Sequence, residues 1–205
     1  PGYKELSVGS HLFMTIQWML SSFANEGKAF FVAIWAAGFL LLMKSKKAKV
    51  YQILTVVFSV AAILPYAGIS FFSEMGIGDI DIEQCLMELP TWQSMTTQNR
   101  IAFFWWIAAV LFTLVLLWKV TGHSVFISMV FLGGIASEAV LHFSPTIYAS
   151  GARVYYLTDL MYLFIILWMV MHMDSEKKKN FFIAGVVVLG VANFLSQYSI
   201  MLLKL

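Results

Sequence analysis

Two carboxylates, Glu138 and Asp159, stand inside long apolar stretches of the chain. An ionisable group in a membrane-length apolar helix costs roughly 2.5 to 3.5 kcal/mol, so each must face protein, water or a partner. Glu138 precedes His142 by one helical turn, which sets both on one face and suits a shared proton or an ion pair. The stretch that follows contains Ser144, Pro145, Thr146, Ser150, Gly151 and Arg153. There Pro145 stops one helix and Ser150 is placed to N-cap the next. With Arg153 in the first turn, this segment combines exposed N–H groups, hydroxyls, a positive dipole end and a guanidinium that binds two oxygens, the chemistry of a phosphate site. Asp159 lies six residues after Arg153, about 9 Å along a helix axis and on another face. Tyr155 and Tyr162 flank Asp159 at helical spacing and suit hydrogen bonds to it or a wall on which a sugar stacks. The same residues equally fit a buried polar clamp between two helices, with Arg153 anchored at the lipid headgroups.

A second set of candidates sits in a hydrophilic loop. Asp79 and Asp81, two residues apart, are weak catalytic candidates alongside Glu138 and could share a divalent cation. Glu74, Glu83 and Glu88 surround them, which also describes a plain solvated acidic surface. Trp92, Gln93, Gln98, Asn99 and Arg100 are residue types that bind sugars, although Trp92 and Arg100 are equally ordinary interface anchors. The single cysteine, Cys85, excludes an internal disulfide, and the four scattered histidines offer no metal-ligand spacing. A metal site built from protein ligands is not expected, and no nucleic-acid signature is present.

The elements that must position these residues are helices in a bilayer. Of 205 residues, 60% are hydrophobic and only 12% charged, against roughly 25% charged in an ordinary soluble domain. The apolar residues form continuous blocks rather than the alternation of a barrel strand. The expected fold is therefore all-α, a polytopic transmembrane helix bundle of about six spans plus an N-terminal interfacial helix. The spans are read as Ala29 to Met43, Val50 to Phe72, Ile101 to Trp118, Ser124 to Leu141, Val154 to Met173 and Phe181 to Leu203. Leu6 to Phe23 is interrupted by Ser7, Ser10, His11, Thr15 and Gln17, a pattern that suits a helix lying in the interface better than one crossing it, with a tilted extra span as the alternative. The organisation is thus an interfacial segment 1–27 and a six-span bundle 28–205 with an outer loop 73–100.

Orientation follows from Lys44, Lys46, Lys47 and Lys49 in one short loop, Lys119 in a second, and Lys177, Lys178 and Lys179 in a third. These eight of thirteen basic residues mark one, cytoplasmic, side. The candidate site then lies at headgroup depth on the other side. Pro65 should kink the second span where Ala67 and Gly68 leave room, and Ala33 with Ala37, and Gly133 with Ser137, should let helices approach closely. Asn193 and Gln197 share a face of the last span and suit helix-to-helix hydrogen bonding.

The decapeptide Ser144-Pro145-Thr146-Ile147-Tyr148-Ala149-Ser150-Gly151-Ala152-Arg153, ending one hydrophobic helix and opening the next, resembles the C-terminal region of bacterial multi-pass sugar transferases of the GT-C-type and glucosyltransferase-like membrane families. The opening Pro1-Gly2 ahead of an interfacial helix extends that resemblance over most of the chain, and Asp79-Ile80-Asp81 is similar to the two-carboxylate motif with which many sugar transferases hold a divalent cation. The resemblance implies transfer of a sugar from a polyprenyl-phosphate carrier to an envelope glycan, outside a bacterial cytoplasmic membrane. It implies that the chain is part of a longer protein whose catalytic carboxylate precedes Pro1. The present chain would hold the carrier lipid, through Arg153, Ser150, Gly151, Thr146, Ser144, His142, Asp159 and Tyr155. The competing expectations are a transporter or flippase, which would show broken helices and midplane polar residues, and a non-catalytic membrane subunit.

Overall fold

The computed structural model describes residues 7–25, 27–43, 45, 48–63, 92, 97–122, 125–142 and 156–203. They form seven helices and, among the described residues, no strand: α1 (Val8–Asn25), α2 (Lys28–Leu42), α3 (Lys49–Ile63), α4 (Thr97–Val120), α5 (Val125–His142), α6 (Tyr156–Met171) and α7 (Glu176–Leu203). Within the described residues each expected apolar block is helical, and the all-α class stands. One helix, Arg100–Val120, is by itself long and apolar enough to cross a membrane, and Val8–Ala24 with Lys28–Leu42, bent by 67°, passes when the two are taken together. Lys49–Ile63, Val125–Val140 and Tyr156–Met171 are shorter apolar helices. The 15 residues of α2 reach about 22 Å, short of the ~30 Å of a hydrocarbon core. Pro65, Ala67 and Gly68 lie outside the described residues, as do the side chains of Asn193 and Gln197.

Local chemistry explains the helix ends. The Ser7 hydroxyl accepts from the Ser10 N–H at 3.2 Å, an N-cap for α1. Gly122 follows α4 at φ 63°, the left-handed position that closes a helix without a Cβ clash.

α2 is apolar on all sides and occupies the centre, touching α1, α3, α4, α6 and α7. Its register against α4 is set by the Trp35 indole N–H, which donates to Thr113 Oγ1 at 2.8 Å. One turn on, Gly38 lies so near Leu116 that a Cβ would stand 2.8 Å from Leu116 Cδ2. α2 and α4 therefore run parallel. Gln52 Nε2 donates to Leu42 O at 2.6 Å and Trp35 meets Phe58 at 5.6 Å, so α3 returns antiparallel. Lys178 Nζ donates to Leu40 O at 2.8 Å, bringing the start of α7 to the end of α2. Phe31 against Tyr162 at 5.7 Å sets α6 parallel to α2.

These registers gather Lys49, Lys119, Lys177, Lys178 and Lys179 at one end of the bundle. The other end holds the starts of α2, α4 and α6 and the end of α5, and α1 packs across it, with Phe13 against Phe103 at 5.9 Å and Phe23 against Phe31 at 5.2 Å. α1 is not a surface ribbon: Met14, Thr15, Gln17, Trp18, Leu20, Ser21, Phe23 and Ala24 are all buried.

The expected small-residue contacts are present with one change of position. Ala33 and Ala37 are buried in α2. On α5 the tighter approach is at Gly134, whose Cβ would lie 3.3 Å from Tyr162 Cε1, rather than at Gly133, which meets Met161 at 3.8 Å. Gly38→Val should destabilise the bundle by about 1–3 kcal/mol through overpacking against Leu116, with Gly38→Ala costing less. Unfolding of both variants in mixed micelles checks this, and an unaltered midpoint for Gly38→Val would place the helices further apart than described.

Candidate polar site at the end opposite the lysines

Why polar side chains should collect beneath α1 follows from the registers just given. α5 delivers Glu138 near its C-terminus and α6 delivers Thr158, Asp159 and Tyr162 in its first two turns, at the same end. Glu138 is 1% exposed, Thr158 2% and Tyr162 1%. Asp159 is half-buried. Ser137 meets Thr158 at 3.2 Å and Gly134 lies against the Tyr162 ring, so the turns of α5 and α6 that carry Glu138, Asp159 and Tyr162 pack side by side. The three groups that sequence spacing treated as two separate neighbourhoods, Glu138 with His142 and Asp159 with Tyr162, thus form one.

The helix pair carrying them is tied by hydroxyls. Ser137 Oγ donates to Gly134 O at 2.8 Å and shares a hydrogen bond with Thr158 Oγ1 at 3.2 Å, while Thr158 Oγ1 also approaches Gly134 O at 3.2 Å. Such bonds across apolar helices fix rotation and register, at about 0.6 kcal/mol each on average. Ser137 and Thr158 thus tie these two helices directly, one position before Glu138 on α5 and one before Asp159 on α6.

Three further elements carry buried polar or indole-bearing side chains in this half of the bundle. α1 supplies buried Thr15, Gln17 and Ser21, α2 begins with buried Lys28, and α4 supplies Trp106 at 1% exposure. Among the described residues Gln17 Oε1, Trp106 Nε1 and Tyr162 OH are buried with no hydrogen-bond partner. Leaving a buried donor or acceptor unmet costs about 1–3 kcal/mol. Phe31 lies between Trp106 and Tyr162, at 5.6 and 5.7 Å from their rings, and sets the floor of the cluster.

Lys28, Gln17, Trp106 and Thr158 were not singled out from sequence as site residues. Lys28 could have been, since it is a cation at the start of an apolar block, away from the lysine-rich loops. Trp106 carries no such signal, because a tryptophan in an apolar helix looks like core.

Other sequence candidates fare differently. Trp92 stacks edge-on with Phe13, Phe103 and Phe104, and the Arg100 guanidinium sits over its ring at 5.2 Å while Nη2 donates to Trp92 O at 3.0 Å. This is the geometry of an anchor and not of an open sugar platform. His142 is the last residue of α5, one turn beyond Glu138, and its side chain lies outside the described residues. Asp79, Asp81, Ser144, Thr146, Ser150, Gly151, Arg153 and Tyr155 lie outside them altogether. Among the described residues no group of three or more His, Cys, Asp or Glu side chains could hold a metal ion.

No family model, no curated protein and no solved structure matches the chain.

Proposed function

We propose that this chain is a polytopic membrane protein that forms part of a glycosyltransferase using a polyprenyl-phosphate-linked sugar, and that it holds that lipid at the end opposite the lysines. In this reading α2 to α7 cross the bilayer and α1 covers the outer end. The support for the bilayer is a periphery of exposed apolar side chains on every crossing helix but α2, including Ile53, Phe104, Leu111, Met129, Leu160, Leu167 and Val188. Soluble monomers rarely expose contiguous apolar areas of that extent. Apolar sequence also continues past α3 to Phe72 and begins before α6 at Val154.

The observation that carries the functional reading is the position of Glu138, Asp159 and Tyr162. They stand at the ends of the two helices between which the Ser144 to Arg153 segment passes. Arg153 and the N-terminus of α6 would take the phosphate. The carboxylates and the Tyr162 hydroxyl would take sugar hydroxyls. Glu138→Gln keeps the shape and removes the charge, so it should weaken binding of a polyprenyl-phosphate sugar by about tenfold, the loss of one charge-assisted hydrogen bond. Its thermal midpoint should hold. A lower midpoint with unchanged binding would make Glu138 a structural clamp and remove the carboxylate from the site.

A second reading, a transporter or flippase, is favoured by one feature. α1 and α2 meet at 67° across Gly27, with Ser21 and Lys28 buried on either side of the break. Broken helices with polar linings are how transporters build substrate sites. Reconstitution into vesicles with a fluorescent sugar-lipid separates the two: movement between leaflets without sugar transfer supports transport, and saturable binding without movement supports the transferase reading.

A further inference from the structure

Far from the polar cluster, α2, α3 and α7 enclose an apolar groove of about 290 Å³ that opens to the surface. Ala33 and Ala36 of α2, Val56 and Val60 of α3, and Phe182 and Gly185 of α7 are among its walls. No polar side chain other than Thr55 and Ser59 lines it, and the Thr55 hydroxyl is already spent on Tyr51 O at 2.6 Å. Along α3 the groove runs from Thr55 to Ile63, about 12 Å at helical rise. That is close to the ~15 Å depth of one leaflet of a ~30 Å hydrocarbon core.

Helical periodicity leads two of the three walls of the groove, those of α3 and α7, to a lysine. On α3, Lys49, Val56 and Ile63 fall at seven-residue intervals on one face, and on α7, Lys177, Phe181 and Gly185 fall at four-residue intervals. Lys178 is engaged with Asp174 at 3.0 Å and with Leu40 O, and Lys179 with Glu176 at 2.8 Å. Lys49 and Lys177 are exposed and carry no ion pair among the described residues. The groove is therefore an apolar slot about 12 Å long, with Lys177 one turn before its α7 wall and Lys49 six residues, about 9 Å, before its α3 wall, both toward the lysine end.

We propose that this groove holds one acyl chain of an anionic phospholipid from the leaflet on the lysine side, with Lys49 and Lys177 meeting its phosphate. This rests on the bilayer reading above but not on the sugar-lipid reading, which concerns the opposite end of the bundle. Basic pockets between helices at the cytoplasmic surface select anionic headgroups, each lysine being worth about fivefold in affinity.

The test is lipid retention by the purified full chain in detergent, measured by native mass spectrometry. Phosphatidylglycerol and phosphatidylcholine of identical chains serve as probes. One phosphatidylglycerol should be retained over phosphatidylcholine by about twenty- to thirtyfold, and the double variant Lys49→Gln/Lys177→Gln should bring the two lipids together. Gly185→Leu adds a side chain at a position whose Cβ meets nothing within 4 Å, so it should fold and displace the lipid. Equal retention of the two lipids, or phosphatidylglycerol retention unmoved by Gly185→Leu, overturns the proposal. So does preferential retention of polyprenyl phosphate at this groove, or a Gly185→Leu chain that changes from dimer to monomer, which would make the occupant a second copy.

Discussion

Trp35→Ala should cost the bundle about 3 kcal/mol, the lower end of the range for truncating a buried tryptophan. Trp35 is fully buried in the central helix and meets Phe31, Phe58 and Trp105 at ring separations of 5.8, 5.6 and 6.4 Å. Its indole N–H reaches Thr113 Oγ1, and that hydroxyl in turn donates to Ala109 O at 2.7 Å. If the proposed bilayer setting holds, lipid tails are as apolar as the ring, and the loss then comes from packing and the hydrogen bond and not from water. Thr113→Val isolates the second part. It keeps the volume, leaves the indole without its acceptor, and should cost about 0.6–1.7 kcal/mol. Equilibrium unfolding of both variants in mixed micelles checks the pair, and a Trp35→Ala cost below that of Thr113→Val would contradict the central position given to α2.

Arg153→Ala should weaken binding of a polyprenyl-phosphate sugar by tenfold to a hundredfold, as expected for losing a bidentate, charge-assisted contact worth about 1.5–3 kcal/mol. The expectation comes from sequence, since Arg153 precedes the first described turn of α6 by three residues. Arg153→Lys should recover only part of the loss, because an ammonium is a point charge and not a planar fork. Expression and helix content should be unchanged in both. Equal affinity for wild type and Arg153→Ala, measured by titration in detergent, would remove the phosphate role from this segment.

The helices were legible because they are written in continuous apolar blocks, and all seven overlap the expected blocks or the expected N-terminal helix. What periodicity does not carry is which face of an all-apolar helix meets protein and which meets lipid. α4 is such a helix: Trp106, Ala109 and Leu116 are buried while Phe104, Leu111 and Val115 are exposed, and nothing in residue type separates the two sets. Long-range register was equally hidden. The Trp35 to Thr113 bond spans 78 positions, and only the fold chooses Gly134 over Gly133 as the close contact.

The same limit applies to the polar site. Glu138 and Asp159 were legible as costly residues in apolar surroundings. That Tyr162 lies near both required the antiparallel packing of α5 on α6. Thr15 and Gln17 read as polar interruptions of an interfacial helix, and both are buried where α1 packs across the end of the bundle.

The most direct test of the account is photolabelling of the full chain, in native-like lipid, with a polyprenyl-phosphate sugar carrying a diazirine on the sugar, followed by mapping of the adduct. The account predicts saturable labelling within residues 138–162, competed by unlabelled sugar-lipid and lost in Arg153→Ala. Labelling that is unsaturable, or that falls on the lysine-bearing end of the bundle, would contradict it.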